Sequence, residues 1–317
     1  MGRLQLPVYS TSYLKLPWQH LDIISFLYSV MNSIKADNLA CPMDGERLTL
    51  NDKQLVCQNG HGFDLARQGY VNLLPVQHKR SKQPGDSKKM VLARAEFLNS
   101  GLYQPIADKL AEIASSLITD DNETCLMDAG CGEGYYFDYV FNYLRGKKSA
   151  NDLSFIGLDI SKAAITESTR RNKQITWAVG TNRQPPIYHA SVDIILCVFG
   201  FKSFAGFTKV LKPGGKIVLV EPGADHLKEL REIIYSEVKK SDPQDLAHLK
   251  DKGFTMVDSQ QLQFKTSVIG NKQINNLLIM TPHFYRATKE GRAAASRLQK
   301  LDLTVDIVFR TLAKMGE

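Results

Sequence analysis

The chain has 317 residues, of which 43% are hydrophobic, and a formal net charge of +7 at pH 7. This length and apolar content exclude a disordered or fibrous chain and suffice for a large domain with a small appended one. The positive charge favours a polyanionic partner. The odd number of cysteines, 5 in all, gives no sign of a disulfide framework, so a reducing compartment is expected.

Residues 1–30 are predicted to be an unstructured extension, with Met31 as the natural start of the protein. Their apolar stretch "LDIISFLYSV" is too short to cross a bilayer and contains Asp22. It also lacks a small-residue cleavage site. Neither a signal peptide nor a membrane span is therefore expected.

Residues 31–75 are predicted to form a small zinc-ribbon-like domain around the segment "CPMDGERLTLNDKQLVCQNGHGFD". Cys41, Asp44, Cys57 and His61 have spacings that suit a compact tetrahedral metal site. A segment of this size needs such a site because it cannot bury enough surface to fold alone. Zinc is the expected ion.

Two alternatives to a four-ligand zinc site stay open. The Asp44 carboxylate is a harder ligand than a thiolate, and it could instead occupy the turn before Gly45 while water fills the fourth position. A zinc-free hairpin through Asn51 and Asp52, with both thiols buried, is the second alternative. Zinc is favoured over this hairpin because two cysteines and a histidine seldom have these spacings by chance in a cysteine-poor chain.

Residues 76–100 are predicted to be a basic linker followed by a helix. The basic run 78–82 is either a solvated loop or an edge that contacts phosphates beside a site. Asp86 or Ser87 is the expected N-cap of a helix over residues 88–99.

The segment "CLMDAGCGEGYYFDYV" carries the strongest chemical signal in the chain. An apolar strand ends at Asp128, a turn with Gly130, Gly132 and Gly134 follows, and a helix begins near Tyr135. Glycines at the carboxyl end of a strand let the backbone approach a ligand closely. This D-x-G-C-G-x-G form resembles motif I of the class I S-adenosylmethionine methyltransferases, in which the loop meets the methionine part of the cofactor.

The following segments predict an α/β domain over residues 101–317. The strand "SFIGLDIS" ends in Asp159, at the spacing expected for an acid that binds ribose hydroxyls. "QITWAVG" leads into "TNRQPP", and the resemblance to class I methyltransferases implies that the adenine packs there. "SVDIILCVFG" and "LKPGGKIVLVEPG" add two further strands, and two C-terminal strands follow. The expected fold is a doubly wound, seven-stranded, mainly parallel sheet whose ligand crevice lies at the carboxyl ends of the first and fourth strands.

Eight further motifs occur in one order along residues 39–312: "GYVNLLPVQHKR", "PGDS", "GLYQP", "DAGCGEGYY", "GLDISKAAI", "LKPGG", "PGADHLKELREIIYSEV" and "MTP". This series resembles the bacterial 23S ribosomal RNA guanine-N1-methyltransferases of the RlmA type. The resemblance implies an N-terminal zinc-binding RNA-recognition domain before a class I methyltransferase domain. It also implies a cytoplasmic enzyme that methylates N1 of a guanine in a hairpin loop of 23S ribosomal RNA. The family normally has a cysteine where this chain has Asp44.

The resemblance adds Tyr103 in "GLYQP" and His226 in "PGADH" as contacts of S-adenosylmethionine. Without it, Tyr103 is equally well explained as a packing aromatic at a helix end, and His226 as a surface histidine at a helix N-terminus. Glu133 either touches the cofactor or only solvates the loop. The predicted cofactor-binding residues are Tyr103, Asp128, Gly130, Gly132, Glu133, Gly134, Asp159 and His226.

The residues that act on the acceptor base are less clearly indicated. Guanine N1 is protonated at neutral pH, so the base must lose a proton. Asp86 and Glu221 lie in motifs near the crevice, but the sequence singles out neither as the general base. Phe199 and Phe201 either stack on the guanine or belong to the core, the more frequent outcome after a buried strand.

Cys131 and Cys197 are interpreted as small buried residues and not as nucleophiles, because a purine ring nitrogen attacks a methyl group without a covalent adduct. A homodimer would form a cleft wide enough for an RNA hairpin. The alternatives are a methyltransferase of small molecules and a non-catalytic RNA-binding protein with a degenerate cofactor pocket.

Overall fold

The computed structural model describes residues 37–79, 81–119, 123–147, 153–237 and 248–316. The predictions for residues 1–30 and for Met31 lie outside these ranges, as does Arg80 of the basic run.

Eleven strands and nine α-helices lie within the described residues. The strands are β1 (Thr49–Asn51), β2 (Gln54–Val56), β3 (Gly62–Asp64), β4 (Tyr70–Asn72), β5 (Thr124–Ala129), β6 (Leu153–Asp159), β7 (Thr176–Val179), β8 (Val192–Val198), β9 (Leu211–Pro222), β10 (Phe254–Ile269) and β11 (Lys300–Lys314). The helices are α1 (Lys88–Leu98), α2 (Gln104–Ser116), α3 (Tyr135–Arg145), α4 (Lys162–Arg171), α5 (Phe204–Val210), α6 (Lys228–Ile234), α7 (Asn271–Met280), α8 (His283–Arg286) and α9 (Lys289–Ala295).

The large sheet has 8 strands in the order β10-β11-β9-β8-β5-β6-β7-β4. β5 lies between β6 and β8 and runs parallel to both, whereas β11 is antiparallel to β9 and β10. The predicted doubly wound, mainly parallel architecture is confirmed. Because the strand order reverses at β5, the carboxyl ends of β5 and β8 open the crevice where ligands bind in such sheets.

The prediction of seven strands is one short, because β4 joins the sheet at its β7 edge. Tyr70 pairs in parallel with Trp177, and the Leu73 N–H donates to the Val179 carbonyl oxygen at 2.9 Å. An uncovered edge of β7 would leave backbone groups unpaired, and the apolar run after the ribbon satisfies them. The sequence pattern placed this run in the N-terminal domain, since periodicity does not show which sheet a short strand joins.

The N-terminal ribbon, residues 39–64, shares its hydrophobic core with the large sheet. β1, β2 and β3 form a separate 3-stranded antiparallel sheet. Leu39, Leu48 and Leu55 are nevertheless buried in the same apolar cluster as Met127 of β5. The ribbon is therefore packed onto one face of the sheet and is not a separate body on a linker.

Hydrogen bonds also join the ribbon to the segment that follows β7. The Ala40 N–H donates to the Pro186 carbonyl oxygen at 3.0 Å, and the Tyr188 N–H donates to the Asn38 carbonyl oxygen at 2.8 Å. The Arg47 guanidinium lies 4.1 Å from the centroid of the Tyr188 ring. These contacts fix the ribbon beside the segment where the adenine is expected.

The helix predicted for residues 88–99 is present as α1, and Ser87 is its N-cap. The Ser87 Oγ accepts a hydrogen bond from the Met90 N–H at 3.4 Å. α1 packs against α7, and Phe97 is fully buried at the interface with the core. The segment after the ribbon is thus part of the main body.

Among the described residues, no helix combines the length and the apolar character that crossing a bilayer requires.

A shared core predicts that the ribbon and the sheet unfold together. Leu55→Ala removes a side chain that is fully buried and should lower the free energy of unfolding by about 2–5 kcal/mol. Leu50 pairs with Leu55 across the β1–β2 ladder but is 47% exposed, so Leu50→Ala is the matched control. Urea denaturation followed by tryptophan fluorescence measures both variants. Two separate transitions, with only the smaller one shifted by Leu55→Ala, would show that the ribbon is independent.

Candidate active site and metal centre

The predicted metal ligands come together at one end of the ribbon. Ligand atoms of Cys41, Asp44, Cys57 and His61 all lie within 4.8 Å of one another. The His61 Nδ1 lies 3.5 Å from the Cys41 Sγ, 3.4 Å from the Cys57 Sγ and 2.9 Å from the Asp44 Oδ2. Tetrahedral zinc, with bonds of about 2.3 Å to sulfur and about 2.0–2.1 Å to nitrogen or oxygen, implies edges of roughly 3.3–3.8 Å. The four side chains fit such an ion with small adjustments.

Asp44 faces the cluster and also caps its own turn. Its Oδ1 accepts from the Glu46 N–H at 3.0 Å, while its Oδ2 accepts from the Asn59 side-chain amide at 3.0 Å and lies 3.4 Å from the Cys57 Sγ. These hydrogen bonds hold the pKa of the Asp44 carboxyl well below its usual range. Asp44 can therefore cap the turn and bind a metal ion at the same time, because Oδ1 caps the turn while Oδ2 faces the other predicted ligands.

The Cys41 thiol lies in surroundings that disfavour its charged form. Burial raises the pKa of Cys41 to about 11. The nearby Met43 N–H, 3.4 Å from the Cys41 Sγ, is a donor that suits a thiolate. Because the thiolate is the form that binds metal, a bound cation is the partner that would stabilise it here.

The glycine loop lies between β5 and α3, at the carboxyl end of the sheet. Gly130, Gly132 and Gly134 have φ values of 91°, 57° and 87°, which side chains with a Cβ rarely adopt. A Cβ on Gly134 would also lie 3.0 Å from the buried Trp177 ring. The loop therefore needs glycine both for its conformation and for its packing.

Asp159, at the end of β6, holds the glycine loop in place. Its Oδ2 accepts from the Gly132 N–H at 3.0 Å, and its Oδ1 accepts from the Ser161 N–H at 2.7 Å. Each carboxylate oxygen has a further lone pair for a hydroxyl donor. The carboxylate also lines the cavity in front of the loop, as a ribose ligand must.

Asp128 lies beneath the loop, with its Oδ1 buried and without a hydrogen-bond partner among the described residues. Burial, and next the charge of Asp159, raise the pKa of Asp128 well above its usual range. A buried polar atom of this kind indicates a missing partner. Since the side chain lines the cavity, a ligand is the natural partner.

Tyr103 and His226, which only the resemblance indicated, lie together on the cavity wall. Their ring centroids are 6.2 Å apart. Tyr103 packs edge-on against Phe97 with centroids 5.1 Å apart, yet its buried hydroxyl has no hydrogen-bond partner within the described chain. Desolvation by the surrounding protein lowers the pKa of His226 to about 4, so the ring is neutral at pH 7, and the residue is half-buried and not a surface histidine. Its Nδ1 accepts from the Asp306 N–H at 3.4 Å, which places the ring proton on Nε2.

The Glu133 carboxylate is engaged inside the protein. It is buried and pairs with Arg171, whose Nε lies 3.1 Å from the Glu133 Oε2. Burial raises the pKa of Glu133, and the Arg171 charge opposes that rise. Glu133 therefore anchors the loop from behind, although it also borders the cavity.

The sequence does not indicate several polar residues of the same cavity, among them Arg94 and Tyr136. The Tyr136 hydroxyl is buried without a hydrogen-bond partner in the described part of the chain. The sequence indicates that Tyr136 belongs to the site only through its position, two residues after Gly134, the last glycine of the loop. Arg94 lies within a helix, where residue type alone does not mark a site, whereas Asn182 belongs to the segment "TNRQPP" that is expected to meet the adenine.

The cavity in front of the loop has a volume of about 1160 Å³. Phe199 and Phe201 follow β8 and are 43% and 55% exposed. The expectation that both belong to the core is wrong. Phe199 has a φ of 52°, a strained conformation that turns the chain at the end of β8, and its ring is stacked 6.3 Å from the His226 ring.

Both acids considered as a general base are paired with cations. Asp86 lies 2.6 Å from the Arg94 guanidinium. Glu221 accepts from Lys202 and, at 2.6 Å, from Arg310. The structure therefore adds no preference for either as the base.

Two family models match the chain. The N-terminal zinc ribbon of RlmA matches residues 39–82, and a methyltransferase domain matches residues 126–215. Together with the glycine loop and the sheet order, these matches define an S-adenosylmethionine-dependent methyltransferase with an N-terminal zinc ribbon.

Three curated relatives refine this class. A Streptomyces fradiae protein named 23S rRNA (guanine(748)-N(1))-methyltransferase is 34% identical, over 61% of this chain and 66% of its own length. A Micromonospora griseorubida protein provisionally described as a 23S rRNA (guanine-N(1)-)-methyltransferase is 32% identical, over 61% of this chain and 68% of its own. A Bacillus subtilis (strain 168) protein with the same provisional description is 28% identical, over 84% of this chain and 94% of its own. The chain belongs to the 23S rRNA guanine-N1-methyltransferase family.

Asp44 is expected to complete the metal centre. Asp44→Ala should lower the zinc content of the purified protein, because one of four ligands is lost, whereas Asp44→Cys should retain full content with tighter binding. Asp64→Ala is the control, since Asp64 lies in β3 and its carboxylate accepts only from Gln54 among the described residues. Plasma mass spectrometry, with chelator competition, measures content and affinity. Equal zinc content and retention in Asp44→Ala and the wild type would exclude Asp44 as a ligand.

Proposed function

We propose that the protein transfers a methyl group from S-adenosylmethionine to N1 of a guanine in a hairpin loop of 23S ribosomal RNA. The observation that carries the proposal is the combination, in one chain, of the cofactor loop, the ribbon and the family relationship. A ribosomal substrate places the enzyme in the cytoplasm. A homodimer would supply a cleft wide enough for the hairpin.

The positions of the predicted cofactor residues support this proposal. Gly130, Gly132 and Gly134 form the loop for the methionine part, and Asp159 binds the ribose hydroxyls. Asp128 and two tyrosines, Tyr103 and Tyr136, have buried oxygen atoms without a hydrogen-bond partner among the described residues, and these atoms supply polar contacts along the same wall. Bound S-adenosylmethionine supplies an electrophilic methyl group, so the main task of the protein is to position the nucleophile.

The metal centre is proposed to hold zinc through Cys41, Asp44, Cys57 and His61. A structural ion of this kind stabilises the fold of the ribbon and takes no part in methyl transfer. The ribbon is hydrogen-bonded to the segment after β7, whose residues 180–183 line the cavity, so it can contact RNA near the site. The exposed basic side chains of Lys79 and Lys82 follow it in the chain and suit phosphates.

The acceptor guanine is proposed to stack on Phe199. N1 lies on the pairing edge of guanine, so the base must be unpaired or swung out before it can react. The Phe199 side chain is exposed and lines the cavity. Its neighbour Gly200 lies beside the glycine loop, since a Cβ on Gly130 would lie 3.6 Å from the Gly200 Cα. Stacking there would present the edge of the base toward the cofactor.

Asp159→Ala should cripple S-adenosylmethionine binding. The change removes the ribose ligand and also releases the Gly132 N–H that shapes the loop, so a loss of at least about 100-fold in affinity is expected. Isothermal titration calorimetry measures it, with Asp258→Ala on the exposed part of β10 as the control. Unchanged affinity in a folded Asp159→Ala protein would remove Asp159 from the cofactor site.

Phe199→Ala should impair RNA methylation and spare cofactor binding. Base–aromatic stacking is worth about 1–3 kcal/mol per base, so kcat/KM for RNA should fall roughly 5- to 150-fold. Phe199→Tyr keeps the ring and should retain most activity. An equal loss of S-adenosylmethionine affinity in Phe199→Ala would instead assign the ring to the cofactor.

The direct test is transfer of labelled methyl groups to 23S ribosomal RNA that lacks its native base methylations, followed by reverse transcription. Methylation at guanine N1 blocks pairing, so a new stop in a stem-loop is expected. Labelled RNA without a stop would contradict the pairing-edge position. Absence of label, with the cofactor demonstrably bound, would favour a small-molecule acceptor, and absence of cofactor binding would favour a non-catalytic RNA-binding protein.

A further inference from the structure

The cavity extends well beyond the glycine loop. Its volume of about 1160 Å³ exceeds the roughly 300–1,000 Å³ that encloses one drug-sized ligand, so it has room for more than the cofactor. From His226 the wall follows α6, whose seven residues span about 10 Å, to Tyr235. His283 and Arg286 of α8 complete this outer end.

Tyr235 and His283 form a hydrogen-bonded pair at the outer end. The Tyr235 Oη lies 2.8 Å from the His283 Nδ1, and the two rings meet edge to face with centroids 5.7 Å apart. Burial, and next the charges of Arg231 and Arg286, lower the pKa of His283, so the pair is neutral at pH 7. If the hydroxyl donates to Nδ1, the Nε2–H remains as a donor. If Nδ1–H donates, the hydroxyl proton remains. With either tautomer of His283, the pair therefore keeps one N–H or O–H donor for a ligand.

Arg286 adds a positive charge to the same end. Its side chain is exposed, and within the described ranges no carboxylate or carbonyl oxygen binds its guanidinium. Arg231, by contrast, donates to the carbonyl oxygens of Ala224 and His226. The outer end thus presents a guanidinium that has no anionic partner among the described residues, and a neutral donor pair. This set of donors matches an acceptor-only anion such as a phosphodiester.

We propose that Tyr235, His283 and Arg286 form a subsite for the RNA phosphodiester next to the guanine that is methylated. This inference rests on the proposed function, since it assigns the outer half of the same cavity to the RNA strand. Tyr235 follows the carboxyl end of α6 and His226 precedes its amino end, so the subsite and the glycine loop lie in different parts of one cavity. Anchoring the strand at the outer end would hold the extruded base over Phe199.

The test compares Arg286→Ala and Tyr235→Phe with the wild type in RNA methylation. Loss of a charge-assisted contact to phosphate should raise KM for RNA about tenfold in Arg286→Ala. The slope of log(kcat/KM) against log[salt] should become shallower by about one in this variant. Tyr235→Phe removes only a neutral donor and should raise KM a few-fold with the salt slope unchanged.

Two further variants control for charge. Lys289→Ala removes an exposed positive charge at the start of α9, outside the cavity, and should leave KM near the wild-type value. Glu237 is an exposed carboxylate on the cavity rim, so Glu237→Gln should lower KM because it removes repulsion of the phosphate. Circular dichroism and thermal melting establish that each variant is folded.

Cofactor binding and wild-type activity separate the outcomes. S-adenosylmethionine affinity, measured by calorimetry, should be unchanged in Arg286→Ala. A loss of that affinity would make the outer end part of the cofactor site and overturn the proposal, as would an unchanged KM and salt slope. Failure of the wild-type protein to methylate RNA would instead contradict the proposed function. This outcome is read from the wild-type protein alone and does not depend on any variant.

Discussion

The hydrogen bonds of the Asp159 carboxylate join the two strands on which the site depends. By accepting from the Gly132 N–H at 3.0 Å and the Ser161 N–H at 2.7 Å, this side chain ties the loop after β5 to the end of β6. The loop can take this path because Gly134 leaves room for Trp177 beneath it. A single carboxylate therefore sets the shape of the loop and lines the cavity that the loop borders.

The polar groups around this loop are held in a poorly solvated wall. Asp128, Tyr103 and Tyr136 each place a buried oxygen there without a hydrogen-bond partner among the described residues. Leaving such a group unpaired costs about 1–3 kcal/mol, a cost that a ligand with matching donors or acceptors removes. The wall is thus arranged to bind a ligand. Binding of that ligand should also stabilise the folded protein, because the ligand binds only the native state.

The ribbon contributes to the same arrangement from the other side of the sheet. Its core is continuous with that of β5, and its backbone bonds to Pro186 in the segment after β7. The hydrogen bond to Pro186 comes from Ala40, the residue next to Cys41 in the chain. A metal ion bound at Cys41 would therefore stabilise a region that also supports the cofactor pocket. The N-terminal ribbon is therefore also a structural support of the methyltransferase fold.

Local pattern determined much of this protein. The features that the sequence predicted depend on residues close together in the chain. They are the glycine spacing, the acid at the end of the second sheet strand, the cysteine and histidine spacings and the Ser87 cap. From them the sequence predicted the parallel sheet, the loop, the four clustered side chains of the metal centre and α1. Tertiary structure alone decided what long-range packing controls. It placed β4 at the edge of β7, merged the ribbon with the main core, paired Glu133 with Arg171 and exposed Phe199 in the cavity. It also brought Tyr235 to His283, 48 residues apart, because contacts between distant segments depend on how whole elements pack, which no local pattern records.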